Sequence, residues 1–398
     1  MAIGFCPELA IVKNRVARTQ KELFEEFFFN PFSTISDPRV ERTKEHKLID
    51  IIAISIMAVI SGAEGWVAIE TYGKAKYSWL VEFLSLPNGI PSHDTFSRVW
   101  SRISTEEFNE CFLNWLDTLV NKCGIDVVSI DGKTLRQSYD RSSSQSALHI
   151  VSAWSGNNKL VLGQKKIDNK SNEITAIPAL IQMLDIKDSI ITIDAMGCQK
   201  KIPSLIINKK ADYILALKGN QIKIYRQVKA FFESAASQKT LDEVADFYQT
   251  TEAGHGRIET RKIWVVPISE LSDNHRADWA GLKTIVMVVN KRVLWNKTTL
   301  GVRYYISSLE CNATLLAEAI RSHWGIENKL HWTLDVTFKE DASRIRKDCA
   351  PENFALLRRI ALNLVNREDS YKASNKMKRY RAAMDNDYLL SILAAYCS

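Results

Sequence analysis

Two short apolar segments that each end on an aspartate constrain the fold more than any other feature of this chain. The segment "VVSID" ends on Asp131, and "SIITID" ends on Asp194. Short, continuous apolar runs of this kind are typical of strands that are buried on both faces of a sheet. We therefore expect two carboxylates at strand ends, and we expect them to lie side by side if the two strands are neighbours.

The segments around these two strands predict an α/β fold with a mixed sheet. Three strand patterns come first, and the residues "SGNN" between the second and third are turn chemistry for an antiparallel hairpin. Helix and strand patterns then alternate, which indicates parallel additions to the same sheet. The successive segments are "DVVSID", "ALHIVSAWS", "KLVLGQKKI", "NEITAIPALIQML", "SIITID", "KKIPSLIINKK", "ADYILALKG" and "QIKIYRQVKAFFE", in the order βββαβαβα.

The regions on either side of this alternating segment have different sequence patterns. Apolar residues recur three and four apart before residue 123, which predicts helices. One of these helices, capped by Ser92, is either a helix that enters a DNA major groove or an ordinary structural helix. The patterns "RIETRKIWVVPI", "KTIVMVVNKRVLW" and "VRYYISSLE" predict an all-β insertion. The predicted parts are an N-terminal helical, DNA-binding domain (1–122), a catalytic domain in two pieces (123–225 and 312–398) and the insertion (226–311).

Charge and cysteine content restrict the class of protein. The formal net charge is +7 over 398 residues, which permits a polyanionic partner without requiring one. The seven cysteines are scattered without a C-x-x-C pair, which argues against a disulfide framework and a zinc ribbon. The longest apolar run, 48–60, contains Asp50 and is too short to cross a bilayer. We therefore expect a cytoplasmic protein without a membrane partner.

The two aspartates predict a divalent-metal site. Two carboxylates a few ångström apart repel each other, which raises a pKa unless a cation lies between them. Mg²⁺ and Mn²⁺ prefer such hard oxygen ligands, completed by water and substrate phosphate. Gly132 and Gly197 leave space beside Asp131 and Asp194. Either aspartate alone is also compatible with an ordinary turn after a strand.

A third carboxylate is sought in "RSHWGIENKLHWTLD". His323, Glu327, His331 and Asp335 are four residues apart and share one stripe of a regular helix. A solvated face with i,i+4 contacts is one interpretation, and a metal-binding Glu327 is another. A zinc site is disfavoured because H-E-x-x-H is missing and histidines eight residues apart are about 12 Å apart along a helix. The basic run 370–381 is either a solvated tail or a phosphate contact.

Four motifs, taken together, resemble one family. The segments "SIDGKTLR", "TIDAMGCQ", "HGRIETR" and "HWGIENKLHWTLDVTFKED" are similar to DDE-type insertion-sequence transposases of the H-repeat-associated subgroup, and the similarity covers nearly the whole chain. The resemblance implies a ribonuclease H-like mixed sheet with flanking helices and an all-β insertion. It implies that Asp131, Asp194 and Glu327 are the catalytic residues and the ligands of two Mg²⁺ or Mn²⁺ ions.

The same resemblance implies the partners and the activity. Double-stranded DNA is the expected partner, as the terminal inverted repeats of a bacterial element and as target DNA, and the protein is expected to form a homo-oligomer in the DNA complex. It is expected to cut element ends and to transfer the freed strands. Two alternatives stay open: a nuclease of the same fold that cuts without joining, and a DNA-binding remnant whose catalysis has decayed.

The chain departs from the Tyr, Arg, Glu, Lys signature of related transposases. Ile320, His323 and Leu334 occupy the places of the Tyr, Arg and Lys, so those DNA contacts do not carry over intact. In "HGRIETR", a salt-bridged edge strand explains the alternating charges as well as DNA contact does. The candidate DNA-binding residues are Lys133 and Arg136 beside the first aspartate, Arg257 and Arg261 in the insertion, and Arg321, Lys329 and Lys339 near the glutamate.

Overall fold

A nine-stranded mixed sheet organises the chain. The computed structural model describes residues 22, 25–26, 30–117, 119–120, 126–139, 146–167, 173–237, 240–254, 256–271 and 278–395. In chain order the strands are β1 (Val127–Thr134), β2 (His149–Ser155), β3 (Leu160–Lys166), β4 (Ile190–Ile193), β5 (Asp212–Leu217), β6 (Asp246–Gly254), β7 (Arg257–Pro267), β8 (Thr284–Leu294) and β9 (Thr298–Ser307). Their order across the sheet is β3-β2-β1-β4-β5-β9-β8-β7-β6.

Helices cover the sheet and form a layer of their own at the amino-terminal side. Within the described residues, the α-helices in chain order are α1 (Asn30–Phe32), α2 (Leu48–Ile60), α3 (Trp66–Ala75), α4 (Tyr77–Leu80), α5 (His93–Trp100), α6 (Thr105–Asp117), α7 (Glu173–Met183), α8 (Lys201–Asn208), α9 (Ile222–Ser237), α10 (Leu241–Val244), α11 (Ala313–Gly325), α12 (Trp332–Val336), α13 (Ala350–Arg367), α14 (Asn375–Met384) and α15 (Asn386–Ala394). A π-helix, Ile326–His331, joins α11 to α12.

The strand pairing confirms the mixed α/β sheet that the sequence predicts. β1 and β2, and β2 and β3, are antiparallel, and a turn at 156–159 closes the predicted hairpin. β4 is parallel to β1, and β5 is parallel to β4. The apolar residues of β4 are buried along its whole length, which is why this strand reads as a continuous apolar run.

The four strands after β5 extend the central sheet. β9 pairs antiparallel with β5, and β8, β7 and β6 follow in an antiparallel meander. The sequence reading identifies three of these strands and misses β6. This strand lies at the sheet edge with no buried residue, so "DFYQTTEAG" lacks the apolar alternation by which a half-buried strand is recognised.

The amino-terminal helices share a core with the carboxyl-terminal ones. α2 is buried over nearly its whole length and packs against α13, and burial raises the pKa of its Asp50 to about 6. The indole of Trp100 donates a 2.9 Å hydrogen bond to Ser55 Oγ, which fastens α5 to α2. Ser92 Oγ caps α5 as predicted, by accepting from the Thr95 amide. None of the helices in the described ranges is long and apolar enough to cross a membrane.

Part of the basic run at 370–381 lies inside the protein. Lys378 donates to the carbonyl of Val365 at 3.1 Å, and Arg379 donates to the carbonyl of Val59 at 2.9 Å. Both side chains are buried. These two cations therefore hold α14 against α2 and α13, and are turned away from solvent.

Candidate functional site

The structure brings Asp131 and Asp194 together. Ile130 of β1 and Ile193 of β4 are partners in the parallel ladder, so the aspartates that follow them are neighbours. The expectation of a strand end is confirmed for Asp194, since β4 ends at Ile193, but is wrong for Asp131, because β1 stays paired with β2 as far as Thr134. Adjacent strands are about 4.8 Å apart. Asp194 Oδ1 accepts hydrogen bonds from the amides of Met196 at 2.9 Å and Gly197 at 3.3 Å, so the turn after β4 fixes this carboxylate.

The pKa of Asp131 indicates that several acidic groups act on this carboxyl. Burial and then the charge of Asp194 raise the pKa of Asp131 to about 7, and Glu173 and Glu327 add to the rise. Asp131 Oδ2 also lies 3.7 Å from Nδ1 of His331. Burial and the cations Lys133 and Arg359 lower the pKa of His331 to about 3, so this imidazole is neutral and does not neutralise the acids.

Helix α11 carries the glutamate-bearing segment across the sheet above the two aspartates. Thr192 Oγ1 donates to Ser129 Oγ at 3.1 Å and lies 3.0 Å from Nδ1 of His323, so α11 is attached to β4 and β1. Asp131 is two residues after Ser129 and therefore on the same strand face. At the end of α11, Gly325 lies against Trp154 of β2, where an added Cβ would be 3.6 Å from the indole nitrogen.

The π-helix decides where Glu327 lies. Ile326 and Leu330 are buried, while Glu327, Asn328 and Lys329 are exposed. The wider π turn rotates the following residues relative to α11, so the regular i,i+4 stripe expected from the sequence is not kept. The charge of Glu327 contributes to the raised pKa of Asp131, less than the charges of Asp194 and Glu173 do. A π turn of this kind is frequent at functional sites.

A fourth acid, Glu173, was missed by sequence reasoning. It lies at the start of α7, is 7% exposed, and its Oε1 is 3.0 Å from Nε2 of His149. A side chain at Gly132 would overlap this carboxylate, which explains why glycine follows Asp131. An acidic residue in the first turn of a helix is ordinary, so "SNEIT" carries no signal that Glu173 reaches the site.

Lys133 does not face solvent. Its amine contacts Asp335, lies 3.0 Å from Glu340 Oε2 and 3.9 Å from Asp341 Oδ1, and its side chain is 9% exposed. Glu340 also accepts from Arg359 Nη1 at 2.8 Å. Although burial alone would raise it, Arg359 and Lys133 lower the pKa of Glu340 to about 2. In contrast, Arg136 is 81% exposed.

The other predicted DNA-binding arginines form one ion-pair network. Arg321 on α11 pairs with Glu252 of β6 at 2.7 Å, and Arg261 of β7 pairs with the same carboxylate at 3.2 Å. Glu259 forms ion pairs with Arg261, with Arg257 at 2.7 Å and with Arg292 at 3.1 Å. Four guanidinium groups thus share two carboxylates. Lys329 and Lys339 are exposed, and His255, the first residue of the "HGRIETR" motif, lies outside the described residues.

The carboxylates of the site are suitable ligands for a divalent cation. Within the part of the chain that the structure describes, no three Asp, Glu, His or Cys side chains are arranged around a single ion position. Mg²⁺ and Mn²⁺ would need only one or two protein carboxylates each, with water and phosphate as the other ligands. The raised pKa of Asp131 is the property that a bound cation would relieve.

Comparison with known proteins identifies the family. Residues 122–364 match the family model described as "Transposase DDE domain", and residues 29–116 match "DDE_Tnp_1-associated". The chain belongs to the DDE transposase family. The matched transposase domain begins just before β1, ends within α13, and contains Asp131, Asp194 and Glu327. The family resemblance of the four sequence motifs is therefore confirmed.

The similar transposases span most of the chain. "H repeat-associated putative transposase YhhI" of Escherichia coli is 45% identical, over 91% of this chain and 96% of its own length. "H repeat-associated putative transposase YbfD" of Escherichia coli is 47% identical, over 58% of this chain and 89% of its own length. A solved piggyBac transposase synaptic complex with hairpin DNA has a TM-score of 0.43 at 10% identity, covering 94% of this chain and 80% of that chain. That level of structural similarity does not by itself establish a shared fold.

The crowding of Asp131 predicts a pH-dependent stability. Below about pH 4 the Asp131 carboxyl is protonated in both the folded and the unfolded state, so it does not change the free energy of unfolding. As the pH rises from 4 to 7, this carboxyl ionises in the unfolded chain before it ionises in the folded protein, so the free energy of unfolding falls. Above pH 7 the penalty is about 2 to 4 kcal/mol. We expect Asp131→Asn to raise the Tm by a few degrees at pH 8 in chelator. We expect little change at pH 4.

Calorimetry of both proteins between pH 4 and pH 8 measures this difference. Mg²⁺ should reduce the Tm difference between the two proteins, because it stabilises only the wild type. A Tm difference that does not vary with pH would show that Asp131 is not crowded by charge.

Proposed function

We propose that this transposase cuts DNA at the ends of a bacterial insertion sequence and joins the freed 3′ ends to target DNA. Asp131, Asp194 and Glu327 are the catalytic residues of this proposal. The observation that carries it is the adjacency of Asp131 and Asp194 across the parallel β1–β4 ladder, where burial and then the charges of Asp194, Glu173 and Glu327 raise the pKa of Asp131. The strand order β3-β2-β1-β4-β5, in which β2 alone runs antiparallel to the other four strands, supports a ribonuclease H-like core.

In this proposal each of the three acids would supply a ligand to Mg²⁺ or Mn²⁺. When bound, a pair of these ions activates an oxygen nucleophile and stabilises the leaving oxygen on opposite sides of one phosphorus. Asp131 would supply a carboxylate beside that of Asp194, across the β1–β4 ladder. Asp194 is held by backbone amides and supplies one fixed ligand. Glu327 is exposed, so it supplies a ligand on the side open to DNA.

The arginine network supplies the proposed DNA surface. Arg257, Arg261, Arg292 and Arg321 outnumber the two carboxylates they contact, which leaves an excess of two positive charges on β6, β7, β8 and α11. Guanidinium groups bind phosphate oxygens with two parallel hydrogen bonds. Three further exposed cations are close in sequence to the catalytic acids and are also candidate phosphate contacts: Arg136, Lys329 and Lys339. Two element ends have to be paired for joining, so we infer a homo-oligomer in the DNA complex.

One reaction tests the proposed function. The purified protein is incubated with Mg²⁺, a duplex that carries the terminal inverted repeat from DNA flanking its gene, and a supercoiled target plasmid. We expect nicks mapped to the repeat end and products in which the repeat is covalently joined to the plasmid. Nicks without joined products would indicate a nuclease. An intact duplex, under conditions in which the protein binds the repeat, would overturn the proposal.

Removing one arginine of the network should weaken DNA binding in a salt-dependent way. We expect Arg321→Gln to lower the affinity for the repeat about five- to tenfold in low salt and to reduce the slope of log affinity against log salt by about one. Arg381→Gln is the matched control, since Arg381 on α14 is also half exposed (46% against 50%) and also pairs with one carboxylate, that of Asp385. Equal salt slopes for the two variants would remove Arg321 from the DNA surface.

A further inference from the structure

Lys133 joins the strand that bears the catalytic aspartate to the segment that bears the glutamate. It lies two residues after Asp131 on β1, and its amine contacts Asp335 on α12, eight residues after Glu327. The same amine lies 3.0 Å from Glu340, in the loop that follows. The Glu327 segment is therefore tied to β1 by an ion pair whose lysine is 9% exposed.

The ion pairs continue into the core behind the site. Glu340 and Arg359 are both fully buried and are joined by a 2.8 Å contact. Arg359 also donates to Ser152 Oγ at 3.4 Å, and Ser152 is the cross-strand partner of Asp131 on β2. The lysine end of this network is thus fixed relative to Asp131 by α13 and β2. Removing one partner of a buried pair leaves an uncompensated charge, so such a network has one strongly preferred arrangement.

A second contact lies between this network and the glutamate. His331 Nδ1 is 3.7 Å from Asp131 Oδ2, and His331 lies four residues after Glu327 and four before Asp335. The Glu327 segment consequently meets β1 at two successive points. Glu327 itself is at the exposed beginning of the π-helix, where no ion pair with a described residue holds it. Its distance from Asp131 depends on the attachment of the residues that follow.

From these contacts we propose that Lys133 is a positioning residue, whose ion pair with Asp335 sets Glu327 at the distance from Asp131 that metal binding requires. The inference rests on the proposed function, because it gives a role to Lys133 within the same acidic site. It replaces the expectation that Lys133 contacts DNA. Three carboxylates surround the amine and leave no net positive charge to attract a phosphate.

Two variants with opposite charge changes separate positioning from DNA contact. Lys133→Met removes a positive charge, and Asp335→Asn removes a negative charge from a side chain that is 31% exposed. A positioning role predicts the same result for both: the Mn²⁺ concentration for half-saturation rises about tenfold or more. A phosphate contact predicts opposite results in DNA binding, weaker for Lys133→Met and tighter for Asp335→Asn.

Mn²⁺ binding is measured on the full-length protein without DNA, from the electron paramagnetic resonance signal of the free ion. Affinity for the repeat is measured separately in chelator at several salt concentrations. We expect both variants to lose Mn²⁺ affinity while the salt slope of DNA binding stays that of the wild type. Lys133→Arg keeps a cation at this place and should recover most of the Mn²⁺ affinity. Arg136→Gln should lower the salt slope and leave Mn²⁺ binding unchanged.

The controls distinguish a failure of this inference from a failure of the proposed function. Asp131→Asn should abolish the Mn²⁺ binding of the wild type; if it does not, the metal site itself is misassigned. If Asp131→Asn abolishes binding but Lys133→Met and Asp335→Asn bind Mn²⁺ as the wild type does, Lys133 has no positioning role. Far-UV circular dichroism and Tm identify a variant that fails to fold. In that case Asp335→Asn, at the more exposed partner, decides the outcome.

Discussion

We expect Asp131→Asn to abolish cleavage and joining, with a loss of about a thousandfold or more, and to retain binding to the element end. The reason is geometric, since Asp131 lies beside Asp194 across the β1–β4 ladder, and burial and then the charges of Asp194, Glu173 and Glu327 raise its pKa. Asparagine keeps the shape but supplies one neutral oxygen in place of a charged pair. Cleavage of an end-labelled duplex in Mg²⁺, with binding measured by gel shift in chelator, gives the two quantities.

Asp188→Asn is the matched control for this result. Asp188 follows α7 in a turn before β4, its side chain is 77% exposed, and its backbone φ of 60° is one that asparagine tolerates. We expect this variant to cut and join as the wild type does. Cleavage by Asp131→Asn at a rate near that of Asp188→Asn would exclude Asp131 from the chemistry.

Glu327→Gln should be the second severe loss, about a hundredfold to a thousandfold in cleavage, because the exposed face of the metal site then lacks its charged ligand. The substitution conserves size, and Glu327 makes no ion pair with a described residue, so we expect an unchanged Tm. Glu318→Gln, on the exposed face of α11, is the matched control and should retain full activity.

The alternative third acid is Glu173, which is buried beside Asp131 and in contact with His149. If Glu327→Gln is active and Glu173→Gln is not, the glutamate of the site comes from α7 and the assignment of the π-helix is wrong. We expect instead that Glu173→Gln loses less activity than Glu327→Gln, because Glu173 is turned toward Gly132 and His149 and away from solvent.

Much of the catalytic half of the fold could be predicted from the sequence because its strands are buried on both faces. "SIITID" is such a strand, and its partner β1 carries Asp131 directly after Ile130 in the same register, although β1 itself continues to Thr134. The adjacency of Asp131 and Asp194 follows from that pattern alone once the two strands are parallel neighbours. The edge strand β6 could not be predicted in the same way, since neither of its faces is buried.

The features that the sequence did not predict depend on long-range contacts. A regular helix at 323–335 fits the spacing of polar residues, and only the packing of Ile326 and Leu330 against the sheet favours the π turn. Lys133 is close to Asp131 in sequence, which favours a DNA contact, but its partners lie more than 200 residues away. Glu173 reaches the site only because α7 packs against β2 and β3.

The central claim is that three separated acids share divalent cations, and cleavage of the polypeptide by hydroxyl radicals from bound Fe²⁺ tests it most directly. An Fe²⁺ ion that replaces Mg²⁺ cuts the backbone only next to its own position. The account predicts cuts in three segments, near 131, 194 and 327, all suppressed together by excess Mg²⁺ and all lost in Asp131→Asn. Cuts near 131 and 194 without any near 327, in the complex with the element end, would contradict it.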